Sequence, residues 1–177
     1  MKYVALLRGI NVGGKNVVTM AALKLCLEQT GVENVETCIQ SGNVLFESGE
    51  RSGAKLTKRI EDAVSRTFGI TSRVVVLSHA QLKAVLTDVP TAWKRRTDLR
   101  RNIAFLCHPV TASQALKAVD VKPGVDAVKP GNGVLYMSTT LSALRSSRFP
   151  KLVGTQMYRD MTIRTYSTCQ KILAGLE

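Results

Sequence analysis

The sequence predicts an α+β fold of two ferredoxin-like β-α-β-β-α-β repeats, with largely antiparallel sheets and a connecting helix. Apolar runs and amphipathic stretches follow this order over the first 78 residues, and the order recurs from residue 102. The hairpin sequence IQSGNVLF (39–46) also resembles VKPGNGVLY (128–136), which is one residue longer. We therefore expect a first repeat at 1–78, a connecting helix and basic linker at 79–101, and a second repeat with a C-terminal helix at 102–177.

Glycines and helix caps delimit the elements of the first repeat. Thr19 is a favourable N-cap for a helix over about 20–30, and a second helix over about 53–68 ends at Gly69. The apolar residues of the second helix form one stripe: Leu56, Ile60, Ala63 and Val64. The predicted strands are YVALL (3–7), ETCIQ (36–40), NVLFE (43–47) and SRVVVL (72–77), with SGN as a tight hairpin turn between the middle two.

The second half repeats this pattern. Capping-box sequences predict three helices, beginning after Ser78, Thr111 and Ser167, each with Gln three residues later. Another helix is predicted near Leu141. The predicted strands are NIAFLC (102–107), VDAVK (125–129), VLYMS (134–138) and MTIRT (161–165). The segment VPTAWKRRTDLRR (89–101) is polar and basic, and we expect an exposed connection there.

The charge of the chain indicates an anionic partner. Lys and Arg total 25 against 13 Asp and Glu, a formal net charge of +12. Residues 1–89 hold 11 basic and 8 acidic side chains, whereas residues 90–177 hold 14 and 5. A basic half of this kind suits a phosphorylated ligand or a nucleic acid, although net charge also serves solubility.

Other sequence features predict a cytoplasmic protein without cofactor, metal or membrane partner. No apolar run approaches the ~20 residues that a membrane-spanning helix requires. The four cysteines, Cys26, Cys38, Cys107 and Cys169, are dispersed, as expected of reduced, buried thiols. Paired carboxylates, a Ser/His/Asp spacing and a metal-ligand cluster are all missing from the sequence, so it does not decide whether the protein is an enzyme. It leaves the oligomeric state open as well.

The stretch GINVGGKN (9–16) fits three of the four specified positions of the phosphate-binding pattern G-x-x-x-x-G-K-[ST]. Asn16 replaces the Ser or Thr that would ligate Mg²⁺, and the predicted helix starts three residues late. No apolar strand ends in the Asp that completes a metal site. A hydrolytic nucleotide-binding loop is therefore disfavoured. Two interpretations remain: an anion cradle formed by Gly13, Gly14, Lys15 and Arg8, or a simple glycine turn.

The predicted topology places a second motif beside this loop. In a β-α-β-β-α-β sheet the first and third strands are adjacent and antiparallel. The loop Arg8–Lys15 and the turn Ser41–Asn43 should therefore share one edge of the sheet. The simpler interpretation of SGN is a hairpin turn in which Gly42 and Asn43 supply left-handed conformations.

Three stretches resemble the bacterial family catalogued as domain of unknown function 1697: KYVALLRGINVGGKNVVTMAAL, CIQSGNVLFES and, more loosely, MTIRTYSTCQKILA. The resemblance implies a small cytoplasmic α+β protein with ferredoxin-like halves, and it implies no activity. The third family motif reads T-x-R-N-W-N-T. Thr162, Arg164 and Thr168 fit it, whereas Thr165-Tyr166-Ser167 replaces Asn-Trp-Asn, so that Tyr166 offers less area for stacking than the family's Trp.

Two binding hypotheses follow. In the first, a small anionic or phosphorylated ligand binds at the glycine loop and its neighbours, with Thr162 as a further contact. The ligand-binding residues would be Arg8, Asn11, Gly13, Gly14, Lys15, Ser41, Asn43 and Arg164. In the second, the basic second half binds nucleic acid. The contacts would be Trp93, Lys94, Arg95, Arg96, Arg100 and Arg101. Against the second hypothesis, neither repeat carries the aromatic pattern of RNA-recognition modules.

Overall fold

Two four-stranded antiparallel sheets and several helices form the framework of the protein. The computed structural model describes residues 1–39 and 42–177. The chain divides into a first unit, residues 1–83 with 170–177, and a second unit, residues 84–169. Among the described residues, no helix is long and apolar enough to cross a membrane.

The first unit contains one sheet and the helices that cover it. Its strands are β1 (Lys2–Leu7), β2 (Glu33–Thr37), β3 (Asn43–Glu47) and β4 (Val74–Ser78), and its helices are α1 (Met20–Glu28) and α2 (Gly53–Phe68). The sheet order is β2-β3-β1-β4, and all neighbouring strands are antiparallel. Helix α3 (His79–Thr87) crosses the boundary between the units. Because β1 lies between β3 and β4 and runs antiparallel to both, the end of β1 lies beside the starts of β3 and β4.

The core of the first unit lies between the sheet and helices α1 and α2. Side chains of Leu23 and Leu27 from α1 are fully buried there, and the predicted stripe of α2 is buried as well. They pack against alternate residues of β1 because successive side chains of a strand point to opposite faces: Tyr3, Ala5 and Leu7. The caps agree with the sequence prediction. Thr19 Oγ1 accepts the amide of Ala22, and Gly69 ends α2 in a left-handed conformation.

The second unit has a sheet of the same strand order, β6-β7-β5-β8. Its elements are α4 (Thr91–Arg95), β5 (Leu99–Leu106), α5 (Ala112–Ala118), β6 (Asp126–Gly131), β7 (Val134–Thr140), α6 (Gln156–Arg159) and β8 (Met161–Thr165), followed by α7 (Tyr166–Gly175), whose last residues belong to the first unit. Two 3₁₀ turns, Leu141–Ser146 and Phe149–Leu152, lie between β7 and α6. They occupy the place where the sequence predicts a regular helix near Leu141, and Ala143 interrupts the helical geometry there.

The second strand of the first unit differs from its prediction. Sequence patterning places it at 36–40, whereas β2 spans Glu33–Thr37. Ile39 has a φ of +54°, which a strand cannot accommodate, so the strand ends before it. Asn34, with a φ of +50°, lies in an irregularity of the β2–β3 pairing that lets β2 begin earlier. The first hairpin therefore has a longer connection than the two-residue turn between β6 and β7.

The segment 89–101 is exposed at most of its residues, as predicted, but it contains regular structure and three buried side chains. Residues 91–95 form α4, and β5 already begins at Leu99 rather than at residue 102. Val89, Trp93 and Leu99 are buried. The segment is polar by composition, but its three large apolar side chains are spaced so that they are all buried, while four of its five basic side chains are exposed.

The cap of the last helix also lies elsewhere than predicted. The capping boxes at Ser78–Gln81 and Thr111–Gln114 are both present. Helix α7, however, starts at Tyr166, and Thr165 Oγ1 accepts the amide of Thr168 at 3.1 Å. Ser167 is already inside the helix. Strand β8 runs directly into α7, so the N-cap is the last strand residue and not the predicted serine.

Candidate functional site

The glycine-rich segment folds back on itself as a small hairpin. The amide of Lys15 donates to the carbonyl of Val12 at 3.1 Å, and these two residues form an isolated β-bridge. Gly13 and Gly14 between them have φ values of +58° and +73°. Two successive positive φ angles are those of a type I′ turn, which favours glycine at both positions. The sequence GINVGGKN is therefore, in its local geometry, a tight turn.

Two asparagines fasten the limbs of this hairpin. Asn11 Nδ2 donates to the carbonyl of Val18 at 2.8 Å, and Asn11 Oδ1 accepts the amide of Val18 at 2.7 Å. Asn16 Nδ2 donates to the carbonyl of Gly9 at 2.9 Å, while the backbone carbonyl of Asn16 accepts the amide of Asn11 at 3.1 Å. The side chain of Asn11 is thus engaged with backbone, and its role is to hold the loop rather than to face solvent.

The tip of the loop is the part open to solvent. Gly13, Gly14 and Lys15 are exposed. Neither glycine amide donates a hydrogen bond to any residue that the structure describes. Helix α1 begins at Met20, five residues beyond Lys15, so its N-terminal amides are not continuous with the loop. This geometry departs from a nucleotide-binding P-loop, in which the lysine opens the helix itself.

The base of the loop lies at a shared sheet edge, as the topology predicts. Leu6 pairs with Asn43, and the amide of Leu7 donates to the carbonyl of Gly42 at 2.7 Å. On the other side of β1, the amide of Arg8 donates to the carbonyl of Arg73 at 2.9 Å, and Ser72 Oγ donates to the carbonyl of Arg8 at 2.8 Å. Arg8 is half-buried and follows directly after β1.

The turn residues on this edge have structural roles of their own. Asn43 is 1% exposed, and its Nδ2 donates to the carbonyl of Ile39 at 3.3 Å. Gly42 has a φ of +76°, and a Cβ at this position would lie 3.0 Å from the carbonyl oxygen of Leu7. Gly42 and Asn43 therefore fix the approach of β3 to β1. Ser41, the third predicted residue of this turn, lies outside the described residues.

Arg73 is a cation that sequence patterning did not place in the site. Its Nε lies 3.8 Å from Glu61 Oε1, and the same carboxylate oxygen accepts the amide of Val74 at 2.9 Å. Because β4 pairs with β1, Arg73 and Arg8 come from adjacent strand ends. The order of the elements predicts that β1 and β3 are adjacent. Arg73 was found beside Arg8 only from the observed pairing of β4 with β1.

Arg164 and Thr162 belong to the second unit. Arg164 is half-buried on β8, and its Nη1 donates to Thr162 Oγ1 at 2.8 Å and to the carbonyl of Ile163 at 3.0 Å. Burial lowers the pKa of the Arg164 guanidinium below its ordinary value. Burial also raises the pKa of the nearby Cys169 thiol to about 12, and the charge of Arg164 opposes that rise. The thiol is therefore neutral at physiological pH.

The basic segment separates into a buried and an exposed part. Trp93 is 3% exposed, and its ring meets those of Tyr136 and Tyr166 edge-on, with centroids 5.9 and 5.4 Å apart. Arg101 donates from Nη1 to the carbonyl of Trp93 at 2.8 Å and covers the ring of Tyr166 at 5.5 Å. Trp93 is thus a core residue and offers no free face for stacking on a base. Arg101 supports it.

The remaining cations of this segment lie on the surface. Arg96 forms a bidentate pair with Asp98, at 2.9 Å from Nε and 2.6 Å from Nη2. Lys94, Arg95 and Arg100 are exposed, and their charged groups have no partner among residues 1–39 and 42–177. Of the six predicted nucleic-acid contacts, these three are the ones that present an uncompensated charge to solvent.

Comparisons with known proteins agree with the resemblance noted from the sequence. The model of the family described as "Protein of unknown function (DUF1697)" matches residues 1–136. The chain belongs to this family. Its structure is similar to that of a conserved bacterial protein, SP0830 from Streptococcus pneumoniae, with 30% sequence identity and a TM-score of 0.86 over 99% of this chain and 98% of the other. No curated protein matches the chain.

The structure explains the two N-terminal DUF1697 motifs in physical terms. In R-G-I-N-V-G-G-K-N, the asparagines close the loop, the paired glycines turn it, and Ile10 is buried in the core. In the I-Q-S-G-N-V motif, Gly42 allows the close approach to Leu7, and Asn43 is buried. Scaffold roles therefore account for most motif positions. Arg8 and Lys15 are the charged residues of these two motifs.

Proposed function

We propose that this protein binds a small anionic or phosphorylated ligand at the tip of the glycine loop, with Lys15 supplying charge and the amides of Gly13 and Gly14 donating hydrogen bonds. One observation carries the proposal: two adjacent, solvent-facing amides without partners among the described residues lie beside an exposed lysine. Successive backbone N–H groups in a turn form a recognised type of anion site.

The rigidity of the loop supports this proposal. Five hydrogen bonds within residues 9–18 hold its two limbs together. A loop that is already ordered loses little conformational entropy when an ion binds. In this view Asn11, Asn43 and Gly42 act by positioning the loop and its sheet edge. Arg8, at the base, adds positive charge to the same edge. Ser41 and Arg164 stay as predicted contacts.

We infer that the framework consists of two ferredoxin-like repeats that arose by internal duplication. The support is the identical strand order of the two sheets, β2-β3-β1-β4 and β6-β7-β5-β8, each entirely antiparallel. The two units differ in the segment before their last strand, which is the long helix α2 in the first and a series of short turns in the second. We assign the protein to the cytoplasm, where its four free thiols would stay reduced.

A titration of ¹⁵N-labelled protein with inorganic phosphate tests the ligand proposal. The amide signals of Gly13 and Gly14 should shift with saturation, and Lys15→Ala should weaken binding by about tenfold, the effect of losing one charge-assisted contact. Lys58→Ala is the matched control, because Lys58 is an exposed lysine of the same unit that pairs with Asp62. Phosphate-dependent shifts confined to other residues would contradict the proposal, as would their complete absence.

The second candidate is nucleic-acid binding by the exposed cations Lys94, Arg95 and Arg100. Their uncompensated charges favour contact with a phosphate backbone. Affinity for a short single-stranded RNA should fall steeply with salt, and Lys94→Glu combined with Arg95→Glu should abolish it. A salt-independent affinity, or one that the double variant retains, would exclude this function.

A further inference from the structure

A cavity of about 320 Å³ lies on one face of the second sheet. Its floor is made by β5, β7 and β8, and its opposite wall by the 3₁₀ turns and the residues that follow them. The lining residues are Arg100, Asn102, Met137, Thr139, Leu144, Ser147, Phe149, Pro150, Leu152, Val153, Tyr158 and Ile163. Most of this surface is apolar, and the volume is within the range of small-molecule sites.

Arg100 and Asn102 give the cavity its polar end. They are two residues apart on β5, so their side chains lie on the same face of the sheet. In register they pair with Thr139 and Met137, which also line the cavity. Neither the guanidinium of Arg100 nor the amide of Asn102 has a side-chain partner among the described residues. Arg100 is also the one charged residue in the lining.

The carboxylate of Asp126, two strands from Arg100 in the same sheet, forms no ion pair with Arg100, and its oxygens accept from other donors. Asp126 is 7% exposed and is absent from the lining. Its Oδ1 accepts from Thr139 Oγ1 at 2.9 Å and from Ser147 Oγ at 2.7 Å, and its Oδ2 accepts the amide of Arg148 at 2.8 Å. Asp126 therefore fastens the segment 147–148 to the sheet and holds the cavity wall in place.

The mouth of the cavity exposes apolar side chains to solvent. Val153 is 61% exposed and Leu144 is 36% exposed, and both line the cavity. Leu141, in the same 3₁₀ turn as Leu144, is 47% exposed. A cluster of exposed apolar residues around a concave surface with a few polar groups is typical of a ligand-binding site.

We propose that this cavity binds a small molecule with an apolar body and a single carboxylate. The carboxylate lies at Arg100 and Asn102, which can both donate to it, and the body packs on Phe149, Leu152 and Ile163. The planar guanidinium suits the two oxygens of a carboxylate. The site is in the second unit and does not depend on the glycine loop.

Isothermal calorimetry with octanoate, and with 1-octanol as its uncharged analogue, tests this assignment. Octanoate should bind the wild-type protein with saturation, and Arg100→Gln should weaken it by about tenfold or more while leaving 1-octanol unchanged. Val153→Asp should weaken both molecules. Arg95→Gln is the matched control, since it removes another exposed charge from the same basic segment outside the lining, and it should change neither.

Three results would overturn the assignment: no saturable octanoate binding to the wild-type protein, equal affinities in Arg100→Gln and wild type, or equal losses in Arg100→Gln and Arg95→Gln. Arg100 and Val153 are exposed, so both variants should fold, and their urea midpoints verify this. The result is also independent of the phosphate titration, because Lys15→Ala should bind octanoate like the wild-type protein.

Discussion

At the scale of single residues, most residues of the two N-terminal motifs are explained by the backbone conformations that they permit. Asn11 and Asn16 have φ values of +55° and +52°, a conformation that asparagine tolerates better than most residues. Gly13 and Gly42 both have positive φ as well, but only Gly42 approaches neighbouring atoms. Glycine is therefore favoured at position 13 by its φ angle alone, and at position 42 by both its φ angle and its lack of a side chain.

This difference predicts unequal costs for two glycine substitutions. Gly13→Ala should lower the free energy of unfolding by about 1–2 kcal/mol, the cost of a left-handed alanine. Gly42→Ala should cost more, because its Cβ would also lie 3.0 Å from the oxygen and 3.1 Å from the Cβ of Leu7. Urea unfolding of both variants measures the difference. Equal costs would show that β3 moves away from β1 without penalty.

Asp126 should make the stability of the second unit pH-dependent. Burial raises its pKa, but hydrogen bonds from Arg148, Ser147, Thr139 and Lys122 outweigh burial and hold the pKa below its ordinary value. A lowered folded-state pKa gives stability that is present above the unfolded value of about 3.9 and is lost as the pH falls through the folded value.

Asp126→Asn should therefore destabilise the protein by about 1–3 kcal/mol at pH 7, as expected when a buried group loses charge-assisted partners. The difference between wild type and variant should shrink as the pH falls below about 4. Urea unfolding at pH 7 and at successively lower pH provides the test. A difference that stays constant down to pH 3 would mean that the carboxylate charge is not what these donors stabilise.

At the scale of elements, the predicted caps of α1, α3 and α5 are confirmed, and the predicted cap of α7 is wrong. Thr19 and Thr111 follow loops, and both cap as predicted. At α7, strand β8 continues directly into the helix, and Thr165 takes the capping role. The pairing of β8 with β5 fixes where the strand ends, and that pairing is not encoded in the local sequence.

Two alanine substitutions distinguish the observed cap from the predicted one. Thr165→Ala should lower stability by about 1 kcal/mol, since it leaves the Thr168 amide without its side-chain acceptor. Ser167→Ala should cost less than half of that, because Ser167 is exposed inside the first helical turn. Thermal or urea unfolding measures both. A larger loss for Ser167→Ala would restore the sequence-based assignment.

At the scale of the whole molecule, the chain returns at its end to the unit in which it began. Residues 170–177 belong to the first unit, where Leu176 is 3% exposed and Lys2 Nζ donates to the carbonyl of Glu177 at 2.8 Å. Trp93, the single tryptophan of the chain, is buried and belongs to the second unit. Each unit therefore contains a buried residue whose substitution or fluorescence can be used to study it.

Leu176→Ala should destabilise the first unit by about 2–5 kcal/mol, the usual cost of removing a buried leucine. Hydrogen exchange of β1 and β3 amides should accelerate, while the fluorescence transition of Trp93 in urea should stay close to that of the wild-type protein. The native emission should be blue-shifted, because the indole is buried. An equal displacement of the Trp93 transition would show that the two units unfold as one.

The sequence by itself determined the elements whose signal is local. Helix α2 was predicted with its observed bounds, because its stripe Leu56, Ile60, Ala63, Val64 and its Gly69 stop depend only on spacing along one helix. Strand β3 was also predicted, and the adjacency of β1 and β3 follows from the order of elements. The motifs that carry the family resemblance include β3 and the glycine loop that follows β1.

Only the tertiary structure decided which of the candidate residues face solvent. Trp93 looked like part of a basic surface but packs in the core, and Asn11 and Asn43 looked like ligand contacts but hold backbone. The cavity beside Arg100 combines three strands with a segment some forty residues away along the chain. Side-chain partners, and burial outside a regular amphipathic stripe, depend on contacts between residues distant in sequence, which local patterning does not specify.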